Sequence, residues 1–310
     1  MRVLFLAICF AQIASAAHGS LLVSNYLGAR IARFDHLTGA SQGLFADPSE
    51  GQGDEGMTLG PDGNIYVVMD DLSTNPETVR RFSPNGQLLG VFANLGADTF
   101  ANELTFGPDG NLYVTFATLP YVARYNGVTG AFIDAFTSGG GLSAGGGLVF
   151  GPDANLYVAS YNTGSVKRYN GTTGQFLGDF ATGLTQPTDL VFGADGNLYV
   201  SSWGSDQVKK FNGSTGAFVS NFAQGGGLDA PQGLAFGPDG NLYVASFNTH
   251  QVKRYNGSTG AYIDNFVPNA GDYPIDVLFI PLNVPEPSGC QILIVGLLSL
   301  FPRRVFVRRR

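Results

Sequence analysis

The chain repeats itself, and the repeat constrains its fold more than any other feature. Phe-Gly-Pro-Asp-Gly-Asn-Leu-Tyr-Val stands at 106–114 and again at 236–244, with near copies starting at Leu59, Phe150 and Phe192. The aligned glycines Gly60, Gly107, Gly151, Gly193 and Gly237 are 47, 44, 42 and 44 residues apart. A period of this length belongs to a propeller blade or a solenoid turn. Each unit reads as four short strands. In the last full unit these are Leu234–Phe236, Asn241–Ser246, Gln251–Tyr255 and Ala261–Phe266. Pro238-Asp239-Gly240 is the first turn, with proline pre-setting φ and glycine taking φ > 0. Asn256-Gly257-Ser258-Thr259-Gly260 is a glycine-rich hairpin loop. No segment keeps a helical period over three turns.

The ends of the repeat array choose between the two architectures. Leu21–Phe45 supplies the second, third and fourth strands of a unit without a first, and Asp276–Ile280 resembles a first strand with nothing after it. Five whole units and one shared unit make an all-β, six-bladed β-propeller of four-stranded blades, closed by N-terminal strands pairing with a C-terminal strand. A solenoid has no use for complementary fragments at its ends, whereas closure shields sheet edges. The Pro-Asp-Gly-Asn-Leu-Tyr-Val phrase and the Val-Lys-Arg-Tyr third strand resemble those of NHL-type six-bladed propellers, over about 260 residues. That broad group includes the streptogramin lyases and shades into the gluconolactonases. The resemblance implies the fold and leaves the activity open, because the fold hosts many.

The flanking segments have other compositions. Residues 1–17 carry Arg2, the apolar run Val3–Phe10 and Ala14-Ser15-Ala16, the pattern of a secretory signal peptide. Residues 18–283 are then the propeller, and 284–310 a separate tail. Val284, Pro285, Glu286 and Pro287 lead into the mostly apolar stretch Gly289–Phe301, followed by Arg303, Arg304, Arg308, Arg309 and Arg310. The stretch is shorter than the roughly 20 residues of a spanning helix, and its basic end favours the cytoplasmic side. This tail resembles the PEP-CTERM sorting signal of Gram-negative bacteria. The resemblance implies an exosortase-type membrane protease as partner, transient anchoring in the inner membrane, and delivery to the cell surface or extracellular matrix. Removing both ends alters the charge, since 18–283 holds 11 Lys and Arg against 23 Asp and Glu. A body near −12 excludes nucleic acid as a natural partner, because that binding rests on cationic neutralisation of phosphate. Both cysteines, Cys9 and Cys290, fall in the flanking segments, so the propeller, expected to be monomeric, folds without disulfides.

Strand direction assigns one face to ligands. The loops entering first strands, and those leaving second strands, open on the same side. The position opening each first strand reads Gly56, Glu103, Gly147, Asp189, Gly233, Asp276, an alternation of glycine and acid. One residue earlier the series is Glu55, Asn102, Gly146, Thr188, Gln232, Ile275. Gathered carboxylates repel unless protonated or bridged by a cation, which makes Glu55, Asn102, Glu103, Asp189 and Asp276 metal candidates for Ca²⁺ or another divalent ion. After the second strands come Tyr26, Tyr161, Trp203 and Phe247, which can stack on a sugar or another flat ligand. His250 is the histidine on this side, with His18 at the start of the propeller and His36 between outer strands. The resemblance to gluconolactonases implies paired metal ligands at first-strand openings; Glu55-Gly56 matches one such pair and Asn102-Glu103 partly another. No nucleophile elbow, Cys/His pair or phosphate loop is present. The expected function is an exported surface or matrix interaction module, binding extracellular polysaccharide or a surface protein. The alternative is a metal-dependent lactonase-like hydrolase or a streptogramin-lyase-like enzyme.

Overall fold

The first strand of each blade lines the axis and the fourth lies at the rim. The computed structural model describes residues 19–26, 30–46, 52–70, 77–96 and 99–281, without the side chains of 52–55 and 70. The proposed signal segment and the 284–310 tail lie outside the described residues. Six four-stranded antiparallel sheets make up the fold. Blade I joins the two ends of the array: Pro274–Ile280, then Ser20–Asn25, Ile31–Asp35 and Ser41–Ala46. Blades II to VI are consecutive, at 52–96, 101–135, 145–182, 187–223 and 231–267. The first strand of blade VI is Pro231–Phe236, so it starts three residues before the stretch read from the sequence. A register shift between Pro231 and Leu234 separates its opening from its regular part, and that irregular opening hid the start. Among the described residues the helical elements are two three-residue 3₁₀ turns, Trp203–Ser205 and Phe247–Thr249.

The repeated phrase is a packing device. In blade VI, Asp239 Oδ1 accepts the Asn241 N–H at 3.1 Å, while Oδ2 accepts the Asn241 amide at 2.7 Å and the Tyr243 hydroxyl at 3.0 Å. Below its hydroxyl the Tyr243 ring is buried, edge-on to Phe266 of its own fourth strand and to Phe279 of the next blade, both at 4.9 Å between centroids. Tyr66, Tyr113, Tyr157 and Tyr199 repeat the arrangement. Such contacts add stabilisation beyond buried area. The apolar core is accordingly six inter-blade clusters around the ring. Tyr199→Phe keeps the ring but leaves Asp195 without its 2.9 Å hydroxyl donor. It should cost about 1.5 kcal/mol, measured by urea denaturation; a change under about 0.3 kcal/mol would refute the role given to the hydroxyl.

In blades IV, V and VI one basic residue of the third strand meets an acid of its own blade. Lys210 pairs with Asp195 at 2.8 Å, Lys167 with Asp179 at 2.7 Å, and Arg254 with Asp264. The hairpin Asn-Gly-Ser/Thr triplets are turn chemistry. Asn212 Oδ1 accepts the N–H groups of Ser214 and Thr215 at 3.0 and 2.9 Å.

Candidate functional site

At the channel mouth the acid-glycine alternation acquires a structural meaning. Asp189 Oδ1 accepts the N–H of Leu190 at 2.7 Å, and its Oδ2 accepts that of Leu234, in the next blade, at 2.9 Å. Asp276 does the same with Val277 at 2.7 Å and Met57 at 2.9 Å. Each aspartate thus ties its own first strand to the neighbour's. On its other side, the preceding blade carries glycine, which leaves room for the carboxylate. A Cβ on Gly233 would stand 2.6 Å from Asp276 Oδ1, and one on Gly147 or Gly56 would overlap Asp189 or Glu103.

A second alternation runs beneath it. On the second strands, the acid blades carry Ser24, Thr115 and Ser201, whereas the glycine blades carry Val68, Ala159 and Ala245. Ser24 accepts the Asp276 N–H and Thr115 accepts the Glu103 N–H, each at 3.2 Å. Ser201 Oγ is buried with no hydrogen-bond partner. The ring is therefore three pairs of unlike blades. This pattern is visible in the aligned repeats once the inward face of the second strand is known.

A cavity of about 320 Å³ opens here, walled by Asn102, Glu103, Tyr161, Thr188, Asp189 and Gln232 among others. Its polar groups are partly committed. Asn102 Nδ2 donates to Gly145 O at 2.6 Å and Thr188 Oγ1 to Pro231 O at 2.8 Å. The side-chain amide of Gln232 makes no hydrogen bond among the described residues. Burial raises the pKa of Asp189, and the charge of Asp276 raises it further. Burial likewise raises Asp276. A carboxyl group that holds its proton toward neutral pH can donate or accept one during a reaction.

The predicted residues separate into groups. Asn102, Glu103, Asp189 and Tyr161 line the cavity. Asp276 braces the channel from behind, and the Glu55 side chain lies outside the described residues. No group of three or more His, Cys, Asp or Glu is placed to hold a metal among the described residues. Both aspartates accept backbone N–H groups, one at each carboxylate oxygen. Trp203, Phe247 and Tyr26 sit apart from the cavity, packed blade over blade. The Phe247 ring lies 5.0 Å from Trp203 and 6.1 Å from Tyr26. Tyr273 joins them 4.7 Å from Phe247, and His250 lies 4.5 Å from Tyr273. His250 Nδ1 meets the Tyr273 N–H at 3.2 Å, away from the cavity wall.

Backbone strain sets this rim. Phe100, Ala144, Gln186, Ala230 and Tyr273, each just before a first strand, have φ of 48°, 51°, 54°, 51° and 62°. Their carbonyls accept the N–H groups of Ala117, Tyr161, Trp203, Phe247 and Tyr26 at 2.7 to 3.2 Å. Left-handed backbone at non-glycine residues is costly and persists where the surroundings enforce it, often at functional faces. Tyr273 escaped the sequence reading because nothing in the repeat phrase marks this position.

Solved structures share the architecture. A chain of the nidogen/laminin complex superposes with TM-score 0.66 at 18% identity, over 85% of this chain and 98% of that one. Periplasmic gluconolactonase from Pseudomonas aeruginosa gives 0.58 at 17%, over 85% and 99%. Virginiamycin B lyase from Staphylococcus aureus gives 0.57 at 16%, over 74% of each chain. At these identities the likeness is one of fold. No curated protein matches the chain. The profile of the virginiamycin B lyase family matches residues 7–276, almost the whole propeller. The chain belongs to the virginiamycin B lyase family.

Proposed function

We propose that the channel-mouth cavity is an enzyme site that breaks a carbon–oxygen bond in a small cyclic ester, with Asp189 as the proton-transfer group. The observation that carries this reading is a half-buried carboxyl of raised pKa in the wall of a 320 Å³ cavity. Family membership supports a lyase, and the gluconolactonase likeness is compatible with a cyclic ester as substrate. In an elimination, the carboxylate takes a proton from the carbon next to the one bearing the ester oxygen. The C–H electron pair becomes a double bond, and the oxygen leaves with the C–O pair. On this reading the amide of Gln232, in the cavity wall, donates to the substrate carbonyl. A catalytically inactive His→Ala variant of the S. aureus lyase was crystallised with quinupristin. Here no histidine lines the cavity among the described residues, and on this reading a carboxylate takes the acid–base role.

The test is incubation of the purified protein with sugar lactones and with quinupristin, followed by mass spectrometry. Ring opening by elimination leaves the mass unchanged, whereas hydrolysis adds one water. Asp189→Asn should lower kcat by about 100-fold or more. Turnover unaffected by Asp189→Asn, or none on any cyclic ester, would overturn the assignment.

Export and sorting rest on the sequence alone. The charged start, apolar run and small-residue site support secretion, and Pro285-Glu286-Pro287 with its basic end supports cleavage by an exosortase-type protease. On this reading the mature protein reaches the cell surface or matrix and ends near Pro287. Recovery of surface protein that still ends at Arg310 would sink this part.

A further inference from the structure

Three blades fill one particular space with a lysine. Lys253, only 1% exposed, donates to Gly226 O at 2.8 Å, Gln251 Oε1 at 2.7 Å and Asn265 Oδ1 at 3.1 Å. Gly226 belongs to the connection that enters the blade. Lys209 reaches Gly183 O in the corresponding connection at 2.9 Å, and Lys167 holds the same register in blade IV. The other three blades depart from this plan: blade II has Arg80, blade III the buried Ala123, and blade I Ala32 beside an open groove. Val23 pairs with Ala32 as Val244 pairs with Lys253, so alanine stands where the lysine would be.

The space is left as a groove of about 310 Å³, lined by Asn25, Arg30, Ala32, Phe34, Leu44 and Asp272 among others. Asn25 is 3% exposed. Its Nδ2 donates to Val23 O at 3.4 Å and Arg30 O at 3.3 Å, but its Oδ1 has no partner. Oδ1 faces Gly271, where a Cβ would come within 2.7 Å of it. The sister blades have Ser160, Ser202 and Ser246 at this position, each hydroxyl bonded to the connection beside it. A buried acceptor without a donor is costly. This one sits in a space that lysine stems and ammonium groups occupy elsewhere in the same molecule.

We infer that the blade I groove binds an alkylammonium ion, its head donating to Asn25 Oδ1 and its stem lying along Ala32, Phe34 and Leu44. The source is a small aliphatic amine or the lysine side chain of a partner protein. Asp272 at the rim attracts the cation. Arg30, standing where blade VI has the acceptor Gln251, opposes it and sets the affinity.

Calorimetric titration of the full propeller with pentylamine, Nα-acetyl-lysine methylamide and 1-pentanol tests this. Wild type should bind pentylamine and not 1-pentanol. Comparable binding of the lysine amide assigns a protein side chain as the source, and binding of pentylamine alone assigns a free amine. Arg30→Gln should tighten binding about five-fold. Asn25→Ser, which restores the residue of the sister blades, should weaken it at least ten-fold with the melting temperature preserved. Ala32→Lys should fill the groove, abolish binding and raise the melting temperature. No amine binding by wild type or Arg30→Gln, equal binding of 1-pentanol, or unchanged binding by Asn25→Ser would overturn the inference.

Discussion

Gly216→Ala should destabilise the propeller by roughly 3 kcal/mol, lowering the melting temperature by about 6–12 °C. Gly216 closes the outer hairpin of blade V with φ of 73°, and a Cβ there would overlap the carbonyl oxygen of Phe180 in blade IV. The equivalent hairpin glycines meet Phe266, Phe45, Phe92, Phe136 and Phe222 in the same way, so this contact closes every blade junction of the ring. Alanine must therefore adopt a disfavoured backbone conformation and also push the neighbouring strand away. Gly196→Ala separates the two costs. Gly196 has φ of 75° but nothing within 4 Å of its missing Cβ. It should lose only about 1 kcal/mol, the conformational part. Calorimetry on both variants checks the argument; equal losses would show that the inter-blade approach contributes nothing.

The melting temperature should be higher near pH 5 than near pH 8, by about 4–8 °C. The mouth acids set this direction. Burial raises Asp189 and Asp276 above the ordinary aspartate value of about 4. For a raised carboxyl, the stabilising contribution is complete below the unfolded-state pKa. It is lost as pH rises through the folded-state value, because the folded state must then hold a charge it disfavours. The pair is worth on the order of 2 kcal/mol across that range. The turn acids act in the opposite sense. Burial alone would raise Asp239, but hydrogen bonds from Asn241 and Tyr243 and the charge of Arg254 lower it on balance. Its contribution is present above pH 4 and lost as pH falls through its lowered value. Asp189→Asn should flatten the decline on the alkaline side, while Asp239→Asn should flatten the acidic side. A wild-type protein most stable at pH 8 would contradict the raised values of the mouth pair.

The repeat phrase made the blades legible because its chemistry is local. Asp239, Asn241 and Tyr243 satisfy one another within five residues, and Gly240 takes φ of 75° in the turn between them. The complementary ends were readable for the same reason, since a missing first strand and a spare one count to a whole blade. The site was legible only as a set of positions. Asn102, Glu103, Asp189 and Tyr161 do meet at one cavity. Trp203, Phe247 and Tyr26 belong to the same face, yet they spend their surfaces on one another and on Tyr273.

The sequence by itself determined the repeat length, the strand order within a blade, the number of blades and the face that carries the acids. These follow from turn chemistry and alternation, which act over a few residues. Only the tertiary structure decided what the acids do. Asp189 reaches Leu234 and Asp276 reaches Met57, partners 45 and 219 residues away that ring closure brings to hydrogen-bond distance. The same holds for the space beside Ala32. A small residue in a strand reads as ordinary until its blade is set against those in which a lysine fills that volume.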